Sequence, residues 1–267
     1  MPVVHVNGID IRYEWQGKEG GPVLVLVNGL LTDLSSWNGH LDAYTDHFRV
    51  LTYDCRGQGG SSKPDDGPYL PAQHTADLAA LLDALGVEKA ALLGVSNGGL
   101  IAMSFAALHP QRVTALVLAN TYGRADTFMQ AKLESWQSAM RAGGGPVRFD
   151  VSMVWIWGRS FVNNHWDALR PWREKGSAIP VHAAANLIEG AKHFDMLEQL
   201  SNITCPTLLM TGDEDVLTPL PYIHEIQSRI AGSRVAMLER AGHCMFLERP
   251  DRFKAVAAAF LREALRV

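Results

Sequence analysis

Short, continuous apolar runs alternate with longer stretches of helical pattern along most of this chain. Such runs are typical of strands that are buried on both faces of a parallel sheet. They lie at 23–27 (VLVLV), 49–53 (RVLTY), 90–95 (AALLGV), 113–120 (VTALVLAN), 206–212 (PTLLMTG) and 234–238 (RVAML). At the start of the chain, VVHV and IRYEW flank Asn7-Gly8, a dipeptide that favours a two-residue hairpin turn. We therefore predict a mostly parallel, eight-stranded sheet that begins with an antiparallel hairpin.

Helical periodicity fills the intervals between the apolar runs. The segment TADLAALLDALG carries leucines at helical spacing and stops at Gly86, and GLIAMSFAALHP ends at Pro110. Two more helices are expected at 219–230 and from Pro250 onward. Strands that alternate with helices in this way predict a doubly wound α/β fold, in which helices cover both faces of the sheet.

Residues 121–200, after the sixth apolar run, interrupt this alternation. They contain no clear strand, and GGGP at 143–146 predicts a hinge. The segment holds five of the seven tryptophans: Trp136, Trp155, Trp157, Trp166 and Trp172. We interpret it as a helical cap (lid) over the carboxyl edge of the sheet, where α/β proteins bind ligands, with 1–120 and 201–267 as the core domain. The alternative is a satellite core in which the tryptophans only pack.

Charge and cysteine usage narrow the function classes. The 267 residues carry a formal net charge of −4, which argues against a nucleic-acid partner because such proteins need a basic patch. No apolar run is long enough to span a membrane, and the N-terminus lacks the basic start and apolar middle of a signal peptide. Three cysteines without a CxxC pair fit a reducing compartment. We expect a cytoplasmic protein, and the sequence leaves a homodimer open.

The segment LLGVSNGGL at 92–100 places the pattern G-x-S-x-G between an apolar run and a predicted helix. A strained turn there would raise the Ser96 hydroxyl above the sheet, and Gly94 and Gly98 would let neighbouring segments approach closely. The N-terminus of the following helix points at the same spot, so the Asn97 N–H is a candidate oxyanion donor. A serine that merely occupies a tight turn is the alternative.

A serine hydroxyl needs a general base to act as a nucleophile. Two later turns supply candidates, each directly after an apolar run: TGDEDVLTP holds Asp213 and Asp215, and RAGHCMFLERP holds His243. The chain order Ser, Asp, His suits groups on successive strand ends. His243 would take the serine proton, and one aspartate would orient the imidazole. This chemistry needs no organic cofactor, and the other histidines show no metal-ligand spacing, so we expect neither cofactor nor metal.

Together these motifs resemble those of the α/β-hydrolase superfamily, from about residue 10 to the C-terminus and most weakly in 121–200. YDCRGQGGSSKP at 53–64 is similar to the D-x-R-G-x-G-x-S loop of that superfamily. GDEDVLTP is similar to its G-x-x-D-x-x-x-P acid turn, and GHCMFLERP to its histidine segment. The resemblance implies a triad of Ser96, His243 and Asp215, with Asp215 rather than Asp213 as the acid.

Asn28-Gly29-Leu30-Leu31 stands where the superfamily usually has H-G-x-x. The resemblance implies the Leu30 N–H as the second oxyanion donor, opposite Asn97, with Leu31 as the alternative donor. Asn28 replaces a histidine that normally braces this loop, so we expect the oxyanion hole to survive. As substrate-pocket candidates we name Leu31, Trp136, Trp155, Trp157 and Arg159.

The expected reaction is cleavage of a small-molecule carboxylic ester, lactone or acyl thioester through an acyl-serine intermediate. NGLLTDLSSW, YDCRGQGGSS and LLDALGVEKA resemble 3-oxoadipate enol-lactonases. VNG and DVLTP are similar to acyltransferases that join 3-hydroxyacyl chains for rhamnolipid, which would make an alcohol the acyl acceptor. A cofactor-free perhydrolase or haloperoxidase-like enzyme and a non-catalytic ligand receptor are further alternatives. Intact Ser96, Asp215 and His243 favour an enzyme over a receptor.

Overall fold

The computed structural model describes residues 2–175 and 179–267. Met1, in the predicted core domain, and residues 176–178, in the predicted cap, lie outside the described residues. Every predicted strand is present, and together they form one eight-stranded sheet. The strands are β1 (Val3–Val6), β2 (Ile9–Gly17), β3 (Val23–Val27), β4 (Arg49–Tyr53), β5 (Ala90–Val95), β6 (Val113–Ala119), β7 (Thr207–Gly212) and β8 (Arg234–Leu238).

The strand order in the sheet is β1-β2-β4-β3-β5-β6-β7-β8. β1 and β2 form the predicted antiparallel hairpin, closed by Asn7 and Gly8 at φ angles of 49° and 74°. β2 also pairs antiparallel with β4, and the pairs from β4 to β8 are all parallel. The carboxyl ends of β3, β5, β6, β7 and β8 therefore meet at one edge of the sheet, which confirms the predicted mostly parallel architecture.

Helices connect these strands. They are α1 (Pro71–Ala84), α2 (Asn97–Leu108), α3 (Thr127–Ile156), α4 (Arg159–Lys175), α5 (Val181–Lys192), α6 (Leu220–Gln227), α7 (Met245–Glu248) and α8 (Pro250–Leu265). α1 begins at Pro71, before the predicted start at Thr75, because proline suits the first helical turn and the Gln73 side chain accepts the Leu70 N–H at 2.8 Å. In the described part of the chain, no helix combines the length and apolarity that a membrane crossing requires.

Alternate residues of the central strands divide between two cores, one on each face of the sheet. In β3, Val25 and Val27 join a cluster that contains residues of α1, α2 and α6. Leu24 and Leu26 point to the other face and join a cluster with residues of α8. This two-residue alternation is the normal geometry of a strand, and it confirms that helices cover both faces as predicted.

The interval between β6 and β7 is helical, as predicted, and contains α3, α4 and α5. Among its described residues, the only strand-type pairing is an isolated bridge between Arg124 and Asp195. α3 is broken at Gly143 and Gly144, where Gly144 has φ 66° and ψ −155°. This conformation requires glycine, so the break falls at the predicted GGGP hinge.

Candidate active site

Ser96 lies on the turn between β5 and α2. Its φ of 55° and ψ of −119° belong to a region that residues other than glycine rarely adopt. Close packing imposes this geometry: a Cβ at Gly94 would lie 2.2 Å from the Gly98 carbonyl oxygen, and a Cβ at Gly98 would lie 2.1 Å from that of Val27. Because only glycine fits at both positions, the pattern G-x-S-x-G here forms the tight strand-to-helix turn that the sequence predicts.

His243 links Ser96 to Asp215. Its Nε2 lies 2.9 Å from Ser96 Oγ, and its Nδ1 lies 3.1 Å from Asp215 Oδ2. Ser96, Asp215 and His243 follow β5, β7 and β8, so parallel strands bring all three to one edge of the sheet. Asp213, the other aspartate of the acid turn, is exposed and accepts the Ala241 N–H at 3.2 Å instead. The structure therefore brings Asp215, and not Asp213, to the imidazole.

The buried Asp215 carboxylate accepts hydrogen bonds on both oxygens. Oδ1 accepts the Leu217 and Thr218 N–H groups at 2.9 and 2.8 Å. Oδ2 accepts the Asn120 amide and the Thr218 hydroxyl, both at 2.7 Å. Burial alone would raise the pKa of Asp215, but the charge of His243 and these hydrogen bonds lower it to about 2. The carboxylate stays ionised and favours the imidazole tautomer with its proton on Nδ1, so Nε2 is left to accept the Ser96 proton.

The sequence motifs do not identify two of these partners, Asn120 and Thr218. Asn120 directly follows β6 with φ 48°, a left-handed conformation that asparagine tolerates better than most residues. Thr218 Oγ1 also lies 3.1 Å from His243 Nδ1, so this hydroxyl contacts both the acid and the imidazole. The available signals were a polar residue at the end of a buried strand and a threonine three residues after an aspartate, a spacing that suits a side-chain-capped turn.

The loop after β3 lies beside Ser96. A Cβ at Gly29 would lie 3.5 Å from the Ser96 Cβ. The buried Asn28 side chain donates to the Thr32 carbonyl oxygen at 3.1 Å, and the Thr32 hydroxyl donates to the Gly29 carbonyl at 2.9 Å. The Asn28 side chain thus braces the loop after β3.

The backbone N–H groups of Leu30 and Asn97, on either side of this region, have no hydrogen-bond partner within the described part of the chain. The Leu31 N–H, the alternative oxyanion donor, donates to Gln58 Oε1 at 2.5 Å. Leu31 also has a positive φ of 61°. The contact with Gln58 occupies the Leu31 donor, whereas the Leu30 and Asn97 donors keep capacity for a further acceptor.

Glutamates connect Gly158 and the start of α4 to the loops after β7 and β8. Glu248 accepts the Gly242 N–H at 2.9 Å and the Gly158 N–H at 3.2 Å. Glu214 accepts the Ser160 N–H at 2.7 Å. A Cβ at Gly242 would lie 2.1 Å from the Gly158 nitrogen, so the backbones are in direct contact. The segment between α3 and α4 therefore packs on the loop that carries the imidazole.

The five pocket candidates have different surroundings. Trp136 is buried in the core cluster that includes α2, and the half-buried Trp155 packs against the same cluster. Leu31 packs against a small cluster beside α5. Trp157 is buried in a separate cluster between α3 and α4, which is the packing role that the satellite-core alternative gives to tryptophans. Arg159 is exposed at the start of α4. Contact of these residues with a ligand stays a prediction.

Comparison with known proteins agrees with this geometry. The family model described as alpha/beta hydrolase fold matches residues 22–250. The putative carbamate hydrolase RutD of Azorhizobium caulinodans is 29% identical, over 98% of this chain and 99% of that protein. The 3-oxoadipate enol-lactonase 2 of Acinetobacter baylyi is 27% identical, over 98% of this chain and 99% of its own length. The crystal structure of the enol-lactonase from Burkholderia xenovorans LB400 has a TM-score of 0.89 and 30% identity, covering 97% of this chain and 99% of that one.

Proposed function

This chain belongs to the alpha/beta hydrolase family and is an enzyme of the hydrolase class, and on that premise we propose that it hydrolyses a small carboxylic ester or lactone through an acyl-serine intermediate. The proposal depends on one observation, the hydrogen-bonded line from Ser96 through His243 to Asp215, with contacts of 2.9 and 3.1 Å. A hydroxyl next to a base that a carboxylate orients is the arrangement that nucleophilic acyl transfer requires.

In the first half-reaction, Ser96 Oγ attacks the substrate carbonyl carbon while His243 Nε2 takes the hydroxyl proton. Asp215 stabilises the resulting imidazolium. The tetrahedral oxyanion then collapses, the carbon–oxygen bond to the leaving group breaks, and His243 returns the proton to the departing oxygen. The product of this step is an ester of Ser96, and in a lactone the departing oxygen stays attached to the acyl chain.

In the second half-reaction, water takes the place of the leaving alcohol. His243 Nε2 removes a proton from the water as its oxygen attacks the acyl carbon, and the second oxyanion collapses with cleavage of the bond to Ser96. His243 gives the proton back to Ser96 Oγ, and the carboxylic acid departs. The enzyme returns to its starting protonation state.

Both tetrahedral intermediates place a negative oxygen next to the carbonyl carbon, and two N–H donors would stabilise it. We assign these donors to Leu30 and Asn97, because the Leu31 N–H is already bound to Gln58. Donors that are held in place before the reaction stabilise developing charge without reorganisation, and each typically lowers the barrier by about 3 kcal/mol.

The names of the relatives are consistent with this class of reaction. Carbamate hydrolysis and lactone opening both begin with attack on a carbonyl carbon that bears an oxygen or nitrogen leaving group, so one triad serves either substrate. Residues 121–200 would act as the cap that encloses the substrate over the core of 1–120 and 201–267. Leu31, Trp136 and Trp155 would then contribute apolar pocket walls.

Removal of the nucleophile tests the proposal. Ser96→Ala should lower kcat/KM for p-nitrophenyl butyrate by roughly 1,000-fold or more, with a melting temperature close to that of the wild type. Mass spectrometry of quenched wild-type reactions should show one added butyryl group per chain, which should be absent from Ser96→Ala. Ser201→Ala, at an exposed serine, is the matched control and should behave like the wild type. Full activity in Ser96→Ala would refute the assignment.

A further inference from the structure

Thr218, three residues after Asp215, places its hydroxyl beside both the acid and the imidazole. Its Oγ1 lies 2.7 Å from Asp215 Oδ2 and 3.1 Å from His243 Nδ1. The His243 Nδ1 also lies 3.1 Å from Asp215 Oδ2. Two oxygens at equal distances therefore face one ring nitrogen, and one of them does not belong to the line from Ser96 through His243 to Asp215.

The turn that carries Thr218 fixes the position of this hydroxyl. The Thr218 N–H donates to Asp215 Oδ1 at 2.8 Å, so the backbone and the side chain of Thr218 contact different oxygens of one carboxylate. Pro219 restricts the backbone of the residue before it, and a β-branched side chain has few χ1 rotamers. Thr218 is 1% exposed, so bulk water has little access to the hydroxyl. The hydroxyl is therefore held in place before the reaction.

The single proton of the Thr218 hydroxyl can be donated to only one of its two neighbours. An ionised carboxylate only accepts, so the hydroxyl donates to Asp215 Oδ2. Its lone pairs then face His243 Nδ1, and they would repel a ring nitrogen that carried no proton. The arrangement therefore favours the tautomer with the proton on Nδ1. This N–H has two acceptors, Asp215 Oδ2 and Thr218 Oγ1, in a three-centre hydrogen bond.

Three donors share Asp215 Oδ2, which gives a second acceptor for the imidazole a physical purpose. Oδ2 accepts the Asn120 amide and the Thr218 hydroxyl, both at 2.7 Å, in addition to the His243 contact at 3.1 Å. Hydrogen bonds from N–H to a charged oxygen are commonly about 2.7–2.9 Å long, so the imidazole has the longest of the three contacts. Thr218 Oγ1 is the other acceptor that the described residues offer to His243 Nδ1.

We propose that Thr218 is a positioning residue whose hydroxyl is a second acceptor for the Nδ1–H of His243. This inference rests on the proposed function, in which His243 Nε2 takes the Ser96 proton. When the imidazolium forms, its Nδ1–H becomes more positive, and the hydroxyl dipole, with its oxygen toward the ring, stabilises that charge. Between turnovers the same contact keeps the proton on Nδ1, so that Nε2 stays available as the base.

Removal of the hydroxyl tests this role. Thr218→Val keeps the branched shape, and kcat for p-nitrophenyl butyrate should fall about 10-fold with KM within about 2-fold of the wild type. Thr218→Ala also removes the hydroxyl and should show the same fall in kcat, which covers the case that one variant does not fold. Thr218→Ser restores the hydroxyl and should recover kcat to within about 3-fold of the wild type. Thr204→Val, at an exposed threonine, is the matched control.

A double-mutant cycle distinguishes a direct contact with the imidazole from an effect through the acid. In the Asp215→Ala background, Thr218 is the remaining acceptor for Nδ1–H, so Thr218→Val should lower the residual kcat by a further factor of about 10 or more. If Thr218 only held the carboxylate, the same substitution would cost nothing in that background. Absence of a further loss there would overturn the proposal.

The tautomer of His243 provides a readout that a merely structural role would not change. In nitrogen-15-labelled protein, the ring resonances that disappear in His243→Gln belong to His243. They should report Nδ1–H in Asp215→Ala and a shift toward Nε2–H in the folded Asp215→Ala/Thr218→Val variant. An unchanged tautomer, or an unchanged kcat in both Thr218→Val and Thr218→Ala, would overturn the role of Thr218 alone. Retained activity in Ser96→Ala would instead overturn the proposed function.

Discussion

Lys132 shows how a single side chain can connect the helical segment to the acid turn. It is 3% exposed, and its ammonium donates to the Val216 and Leu217 carbonyl oxygens at 2.8 and 3.0 Å. The Phe128 ring centroid lies 4.3 Å from the same ammonium, a distance that gives a favourable cation–π contact. Since Val216 and Leu217 directly follow Asp215, the lysine of α3 holds the backbone that orients the acid.

Substitution of this lysine tests its positioning role. Lys132→Met keeps most of the apolar stem and removes the donors, so two carbonyls lose their partner and the acid turn loosens. We expect kcat for p-nitrophenyl butyrate to fall about 10-fold with little change in KM, and the free energy of unfolding to fall by about 1–3 kcal/mol. Lys89→Met, at an exposed lysine, is the control. An unchanged kcat in a destabilised Lys132→Met would limit this lysine to a structural role.

At the scale of elements, the turn between β5 and α2 depends on how closely α2 approaches β3. The backbone of α2 passes the end of β3 at Gly98, where a Cβ would lie 2.1 Å from the Val27 carbonyl oxygen. Neither atom belongs to a flexible side chain, so the clash can be relieved only if the helix or the strand moves. Ser96 lies at the N-terminus of this helix and would move with it.

Gly98→Ala should therefore destabilise the protein by about 3 kcal/mol or more and lower esterase activity at temperatures where the variant is still folded. Denaturant unfolding measures the loss of stability. The esterase activity is measured as kcat/KM at about 20 °C or below, so that the variant stays folded. Gly39→Ala is a matched control, because no atom lies within 4 Å of a Cβ at Gly39 and its φ is not positive. Its free energy of unfolding should stay within about 1 kcal/mol of the wild type. Equal effects at the two glycines would contradict the packing argument.

At the scale of the whole molecule, buried titratable groups set the response to acid. Burial lowers the pKa of His74 to about 4, and burial together with the charge of Lys254 lowers the pKa of His40 to about 4. The unfolded chain binds a proton at each histidine near pH 6.5. The stability that these neutral histidines contribute is therefore present above about pH 6.5 and is lost as the pH falls toward 4. Asp215, with its pKa lowered to about 2, adds a further loss between about pH 4 and 2.

Acid unfolding should consequently occur in two ranges. Between about pH 6.5 and 4, the free energy of unfolding should fall by about 2–3 kcal/mol for each histidine, and the His40→Gln/His74→Gln variant should show a flatter slope there. Below about pH 4, the free energy of unfolding of the wild type should fall by about a further 2 kcal/mol, and Asp215→Asn should not show this fall. Urea unfolding at fixed pH values measures both slopes. Parallel curves for wild type and variants would refute these assignments.

The sequence by itself determined the strands, the hairpin turn and the glycine-rich turn at Ser96. These features follow rules that act over a few residues: the apolar runs, Asn7-Gly8 and the spacing of Gly94 and Gly98. They can therefore be recognised in the sequence without knowledge of the fold. The motifs also restricted the candidates for the catalytic acid to the two aspartates of a single turn. Helix starts were less certain, as at α1, because the Pro71 and Gln73 signals lie outside the apolar periodicity.

Only the tertiary structure decided which polar side chains meet. Asn120 reaches Asp215 across 95 positions of the chain, and Lys132 reaches Val216 across 84, so no local spacing encodes these contacts. The physical reason is that periodicity reports the face on which a residue lies, whereas packing of distant segments decides what that residue touches.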